Sequence, residues 1–315
     1  GCGGLLLPTC AAPGMLMAAM SDTGRPSSLR RRWVALGLRV ASLALRPSLQ
    51  TDDLVSAGYN HIADGYDDAW TDHMRHLSVE MLDRLSPSAQ AECLDLTCGT
   101  GFVTAELSRR TGRRALGVDR SAGMLDVARC KHGASCDFVQ ADVLEFLRSR
   151  PSASADVVTC GWGLGYSRPW AVVGQIARVL RRGGRVGIID NTLFSLAGVL
   201  WCSLATFAER PEALQHVMKV RFLPSSLPLA TILRLRGLAV DRRWDGAKTY
   251  HVADGRAAIA RLTATGAAAG FESAVAPESR QAIFDRFAEI LETRRRTERG
   301  ILITHRYLAV VGHRR

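Results

Sequence analysis

Apolar and polar positions alternate in a regular order between residues 91 and 190, and the pattern predicts strands and helices in succession. Ala91–Thr97 and Arg114–Asp119 read as buried strands with a helix over Phe102–Arg110 between them. A helix over Ser121–Lys131 then leads to a strand at Cys136–Gln140, a short helix at Asp142–Arg148 and a strand at Ala155–Gly161. Trp170–Leu180 reads as helix, Arg181-Arg182-Gly183-Gly184 as a turn, and Arg185–Asp190 as a fifth strand. Strands that alternate with helices at this spacing predict an α/β fold with a doubly wound, mostly parallel sheet. Its crossovers should be right-handed and its ligands should lie over the carboxyl ends of the strands.

The flanks divide the chain further. Residues 51–90 form a helical cover before a core over 91–191. Residues 192–253 read as a mainly helical insertion, an acceptor lid or a dimer contact, with the apolar run Leu193–Phe207 as a buried or interface helix. Residues 254–315 complete the core through a helix at Asp254–Gly270, a sixth strand at Phe271–Ala276, a helical piece at Ser279–Arg296 and a last strand at His305–Gly312. Residues 1–50 look like an extension whose start is open, since Met15, Met17 and Met20 could each begin it. Arg30-Arg31-Arg32 leads there into Trp33–Arg46, a basic helical pattern too short to span a bilayer. Packing on the domain or a partner subunit is favoured for it, with a membrane surface second and a cleaved targeting segment third.

The chemistry concentrates at Glu92-Cys93-Leu94-Asp95-Leu96-Thr97-Cys98-Gly99-Thr100-Gly101 and at Gly117-Val118-Asp119. A strand, a glycine-containing turn, a helix and a second strand ending in an acid hold a nucleoside: the glycines admit the ligand to the backbone, and the carboxylate takes two ribose hydroxyls.

Composition changes the picture little. The 315 residues are 47% hydrophobic, enough for one large α/β domain with insertions. The net charge of +11 invites a nucleic-acid partner. However, only Lys131, Lys219 and Lys248 are lysines, and such an arginine skew is equally what a GC-rich coding bias leaves on a surface. The eight cysteines form no CxxC pair and no zinc spacing, a pattern that suits reduced thiols and a cytoplasmic protein, with no metal expected.

On these residues the chain resembles a class I S-adenosylmethionine-dependent methyltransferase, well over Val55–Asp190 and loosely beyond. Leu94–Gly101 is similar to the family's first motif, with Thr97 where glycine is commoner. Gly117–Leu125 is similar to the second, Phe138–Val143 to the third, and Val179–Arg185 to the turn before strand five. A nicotinamide enzyme would instead prefer GxGxxG. The resemblance implies a seven-stranded Rossmann-like fold, S-adenosylmethionine as cofactor and S-adenosylhomocysteine as product. Asp95 would then meet the methionine ammonium, Thr97, Gly99 and Gly101 would shape the turn, and Asp119 with Arg120 would lie at the ribose. Met124 would pack near the adenine, Asp142 would accept from its amino group, and Val143 would offer an amide. Tyr59 and Tyr66, in a segment similar to the family's helical cover, would close the site, and Cys160 at the end of strand four would border it.

The acceptor end is less marked. Cys160-Gly161-Trp162-Gly163-Leu164-Gly165-Tyr166 predicts an open pocket walled by Trp162 and Tyr166, whose rings also favour a positive sulfonium. Asn191 and Tyr250 are further acceptor candidates, and the roof should come from the cover and from Thr192–Ala253. A general base is needed only if the acceptor must lose a proton, and His73, His76, His216 and His251 are the candidates, none marked by a motif. An asparagine-proline-proline-tyrosine motif of base-methylating enzymes is absent, which argues against nucleic acid. The favoured reading is transfer of a methyl group to a small-molecule metabolite, with no transmembrane segment and with peripheral membrane contact or a homodimer left open. The alternatives are an RNA or protein methyltransferase and a non-catalytic relative that binds the cofactor.

Overall fold

Leu94 and Leu96 face one side of the central sheet while Cys93 and Asp95 face the other, the period-two alternation that gives a strand two environments. The computed structural model describes residues 26–45, 51–266 and 274–315. The chain enters through α1 (Pro26–Leu45) and α2 (Thr51–Ile62), passes a 3-10 turn and a π-helical turn at Asp67–Thr71, and continues into α3 (Asp72–Leu85). Then β1 (Cys93–Leu96), α4 (Phe102–Thr111), β2 (Ala115–Asp119), α5 (Ala122–His132) and β3 (Cys136–Gln140) follow. The first half closes with α6 (Val143–Ser149), β4 (Ala155–Gly161), α7 (Pro169–Val179) and β5 (Leu180–Asn191). Beyond it come α8 (Ala197–Glu209), α9 (Ser226–Leu235), β6 (Leu238–Val252), α10 (Gly255–Ala264), α11 (Arg280–Arg295), the two-residue β7 (Arg296–Thr297) and β8 (Gly300–Arg314).

The strand order is β3-β2-β1-β4-β5-β8-β6, with β7 on β8. The strands β1 to β5 pair in parallel, and β8 is antiparallel to both β5 and β6. The order reverses between β1 and β4, so the connections that follow them turn to opposite faces of the sheet and leave a crevice, the place where open α/β sheets bind ligands. On one face Leu94, Val158, Ile188 and Val310 pack under α6, α7 and α9. On the other, Val157, Ile189 and Ala309 pack under Met81, Leu82 and Leu85 of α3 and Leu107 of α4.

Three expectations are corrected. Residues 192–253 are not a separate lid, because Leu238–Val252 is a full edge strand of the sheet. The predicted sixth strand at Phe271–Ala276 is not on the sheet in its described part: Ala274 is helical and Val275 forms a single bridge with Leu214. Residues 271–273 lie outside the described residues, as do 1–25 with Met15, Met17 and Met20. The Arg181–Gly184 turn lies within β5 as an outward loop, where Ala155 pairs with Leu180 and Val157 already pairs with Arg185. Gly183 takes φ +77° there, which a side chain would strain.

Since β5 ends at Asn191 opposite Tyr307, the rest of β8 and β6 runs on as a two-stranded ribbon. Val199 and Cys202 of α8, Leu262 of α10 and Leu291 of α11 close on Ile301 and Ile303 of that ribbon as a satellite core. No helix among the described residues is long and apolar enough to cross a membrane.

Candidate functional site

The cleft forms where β1, β2 and β4 end. Asp95 is buried on β1 with both carboxylate oxygens engaged: Thr104 Oγ1 donates to one at 2.6 Å and Thr159 Oγ1 to the other at 2.7 Å. Burial pushes its pKa up to about 6, against the pull of those two hydroxyls. Asp119 ends β2, where Gly99 N–H donates to Oδ2 and Ser121 N–H to Oδ1, both at 2.9 Å. Burial raises its carboxyl above the ordinary range while these backbone donors oppose the shift. The bond from Gly99 joins the loop after β1 to the acid after β2. Gly99 itself takes φ +53°, and a Cβ there would project into open space, so the missing side chain leaves room for a ligand at the loop.

Asp142 plays two parts. Its Oδ1 caps α6 by accepting from Leu144 N at 2.9 Å and Glu145 N at 3.0 Å, and the residue also lines the cleft beside Val143. Since both capping bonds fall on Oδ1, Oδ2 is left for a ligand. The N-cap of α5 is Ser121, and Met124 behind it reaches the cleft from the first turn.

A cover over this crevice is pinned by polar contacts to the loops beneath. Asn60 Oδ1 accepts from Ser121 Oγ at 2.6 Å and from Gly123 N at 3.0 Å. Asp67 accepts from Thr100 Oγ1 at 2.5 Å and Lys131 Nζ at 2.6 Å. Burial works to raise the Asp67 carboxyl, but the bonds from Lys131, Thr100 and Thr71 outweigh it and hold the group below its usual value. Arg120 pairs with Asp53 at 2.6 Å. Under this cover Tyr59 meets Tyr66 and Tyr166 edge-on, with centroids 5.8 and 6.3 Å apart. Burial raises all three phenols, Tyr166 to about 12, so they are neutral at physiological pH.

The far end of the cleft is apolar and aromatic. Trp162 sits in the left-handed region at φ +60° and presents its ring between β4 and α3. Its indole N–H donates to Ser78 Oγ at 3.0 Å, and its ring meets Trp70 edge-on at 5.4 Å. Met74, Phe102 and Val103 complete this wall. The space enclosed is about 1140 Å3 including the open mouth.

Of the residues expected from sequence, Tyr59, Tyr66, Asp95, Thr97, Gly99, Asp119, Arg120, Met124, Asp142, Val143, Trp162 and Tyr166 line this one cleft. Others do not. Gly101 starts α4 at φ +87° and lies against the Phe138 ring. Cys160 is buried behind Thr97, which stands 3.5 Å from its sulfur. Asn191 accepts from Ser195 Oγ at 3.0 Å, outside the cleft. Tyr250 lies on β6 against His305, with rings 5.7 Å apart and nearly parallel. His73 packs on Tyr250 at 4.8 Å and is pushed down to about 4 by burial, with Lys248 and Arg261 adding to it. His76 is also lowered, by burial and then Lys248. His251 is exposed on β6, and His216 is half-buried in the chain after Leu214. The cleft-lining set among the described residues therefore includes no histidine, and none of its members comes from 192–253.

Trp70, Met74, Ser78 and Phe102 were not singled out by sequence. The first three recur at i, i+4 and i+8, a single helical stripe, whereas His73 and His76 lie on the stripe turned toward β6 and β8. Among the described residues no group of three or more His, Cys, Asp or Glu side chains is placed to hold a metal ion.

Residues 93–184 match the family model described as a methyltransferase domain. The chain is 30% identical over 152 residues to the demethylmenaquinone methyltransferase of Lactococcus lactis, covering 45% of this chain and 60% of that one. It is 33% identical over 146 residues to the 2-phytyl-1,4-naphtoquinone methyltransferase of Thermosynechococcus vestitus, covering 43% and 64%. Each match spans less than two thirds of the relative's own length. Among solved structures, the YcgJ protein of Bacillus subtilis superposes with a TM-score of 0.52 at 16% identity, over 76% of this chain and 99% of that one, a likeness of fold. With the β1 and β2 motifs seated on one cleft of this sheet, residues 93–184 are similar to a methyltransferase domain, and the relatives matched over this part of the chain are methyltransferases.

Proposed function

We propose that this protein transfers a methyl group from S-adenosylmethionine to a small, largely apolar molecule. One observation carries the reading: a single cleft has Asp119 and Asp142 at one end and Trp70, Met74 and Trp162 at the other. The donor fits the first end on the residues present. The Asp119 carboxylate keeps acceptor capacity for a ribose diol beyond its two backbone donors, Gly99 leaves space for the ligand, and Asp142 Oδ2 would accept from an adenine amino group. Bound there, the donor would supply an electrophilic methyl on a sulfonium whose departure leaves a neutral thioether.

The chain's part is alignment and exclusion of water. The neutral rings of Tyr59, Tyr66 and Tyr166 offer π faces to a cation at the centre of the cleft. Trp162, fixed by Ser78 and Trp70, positions the acceptor at the carboxyl end of β4. In this reading the acceptor attacks with its own lone pair, as an amine or an already ionised phenol or enol, because the aromatic end is lined by neutral groups. The lipophilic quinone acceptors named for two relatives suit such a wall. The positive charge has other uses here: Arg113, Arg150 and Arg181 surround Glu92, and Arg286 holds Glu209 and Glu289. Incubating the protein with radiolabelled donor and a panel of apolar phenols, quinols and amines tests the proposal. Label in a small organic product supports it, and label only in RNA or protein would replace it with a macromolecular acceptor.

A further inference from the structure

Helix α1 has two apolar faces, and only one of them is covered. Trp33, Leu36, Val40 and Leu43 pack on Phe207, Leu214 and Ile283 in a satellite core. On another side Val34, Leu38, Ala41 and Leu45 follow each other at spacings of four, three and four residues, a straight helical stripe. That stripe lies open: Val34 is 55% exposed, Leu38 68% and Leu45 87%. Single exposed apolar residues are ordinary, but a stripe is not.

The neighbouring helix repeats the feature. Leu193, Phe194, Leu200 and Trp201, at and just before α8, are each about half exposed. The Trp201 ring stacks on Trp33, at the rim of the covered face of α1, with centroids 4.9 Å apart and planes within 15°, so the exposed start of α8 sits beside α1. One turn before Val34 stand Arg30, Arg31 and Arg32, all exposed, and α1 holds no acidic residue. The patch also borders the cleft. Leu193 N–H donates to the Leu223 carbonyl at 2.9 Å, and Phe222 beside it packs edge-on against Tyr166, a cleft-lining residue, at 5.2 Å.

We propose that the outer faces of α1 and the start of α8 form a docking surface for an anionic lipid bilayer. Apolar stripes of this kind bury at the boundary between headgroups and acyl chains, tryptophan prefers that depth, and arginines bind the lipid phosphates. Helix α1 would lie in the interface and not cross it, since no described helix can span. A second copy of the chain is the poorer occupant, because α1 has three exposed arginines near one end and no acid with which a copy of the same helix could meet them. The proposal concerns where the protein works and stands whether or not the acceptor assignment does.

Co-sedimentation of the full chain with vesicles tests it, using pure phosphatidylcholine against equal parts phosphatidylcholine and phosphatidylglycerol. The expected result is binding to the mixed vesicles that salt weakens and that is about tenfold weaker on the neutral ones. Leu38→Glu combined with Leu200→Glu should lower binding to the mixed vesicles by about tenfold or more, with melting temperature and S-adenosylhomocysteine affinity unchanged. Arg30→Gln with Arg31→Gln should remove most of the preference for anionic lipid. The proposal is overturned if the wild-type chain stays in the supernatant at low salt, or if the Leu38 and Leu200 variant binds as wild type does. It is equally overturned if ultracentrifugation finds a wild-type dimer that Leu38→Glu splits, for the face would then join two copies.

Discussion

The side chain of Thr97 fills the space that a Cβ on Gly163 would need. A Cβ built on Gly163 would lie 2.7 Å from both Cβ and Cγ2 of Thr97, closer than real atoms approach. Thr97 ends β1 at φ +57°, a left-handed conformation that β-branched residues rarely enter, with its hydroxyl 3.0 Å from the Gly161 carbonyl. The loops after β1 and β4, which flank the crevice, are thus fitted to one another, and the threonine in place of the commoner glycine is accommodated by a glycine on the facing loop. Gly163→Ala should destabilise the fold by about 1–3 kcal/mol. Adding Thr97→Gly should recover part of that loss, with a coupling of about 0.5–3 kcal/mol in a double-mutant cycle by chemical denaturation. Strict additivity would show that the two loops do not touch as described.

Asp119→Ala should weaken S-adenosylhomocysteine binding by about tenfold or more, since hydrogen bonds to a charged group contribute about 1.5–3 kcal/mol each. Calorimetry on the folded variant reads this directly. An unchanged affinity would remove the ribose from Asp119 and with it the placing of the cofactor.

Trp162→Ala should lower turnover far more than cofactor affinity, because the proposed reading puts the ring at the acceptor end and assigns ribose and adenine to Asp119 and Asp142 elsewhere in the cleft. The ring also packs on Trp70, so Trp162→Phe serves as the partner variant: it keeps most of the packing and loses the bond to Ser78. If the alanine variant folds and retains full turnover, the acceptor does not lie against Trp162.

Asp190 sets a pH dependence. Buried at the end of β5, it accepts from Gly165 N at 2.7 Å and Asn191 N at 2.8 Å, and burial pushes its pKa up to about 7 against those two donors. A carboxyl whose folded pKa lies above its ordinary value of 3.8 favours the folded state most below pH 3.8. That contribution is lost as the pH rises through about 7. Asp190→Asn should flatten this part of the stability curve between about pH 4 and 7, while lowering stability at the acid end by about 1–3 kcal/mol for one backbone donor left unmatched. Thermal melts of both proteins across that range check it, and parallel curves would show that Asp190 does not titrate there.

The order of elements from β1 to β5 was legible in the sequence because it rests on local causes. Strand and helix periods differ, Ser121 and Asp142 cap the helices they precede, and Pro169 opens α7. The acids at Asp95 and Asp119 were legible for the same reason, since a residue at the carboxyl end of a parallel strand must lie over the crevice whatever the rest of the chain does. Leu238–Val252 escaped because it is an edge strand, largely polar along its length, whose partner β8 lies some fifty residues further on.

Sequence alone determined one end of the cleft: the strand succession, the turn after β1, and the aspartate that ends β2. The tertiary structure decided the other end. The rotation of α3 and of the π-helical turn before it set Trp70, Met74 and Ser78 along the cleft and His73 against Tyr250 of β6, a choice open to either stripe until the helix packed. It also moved Tyr250 out of the cleft and onto His305, and left one face of α1 bare. Each of these depends on which surface meets which across long stretches of chain, and such contacts leave no local period to read.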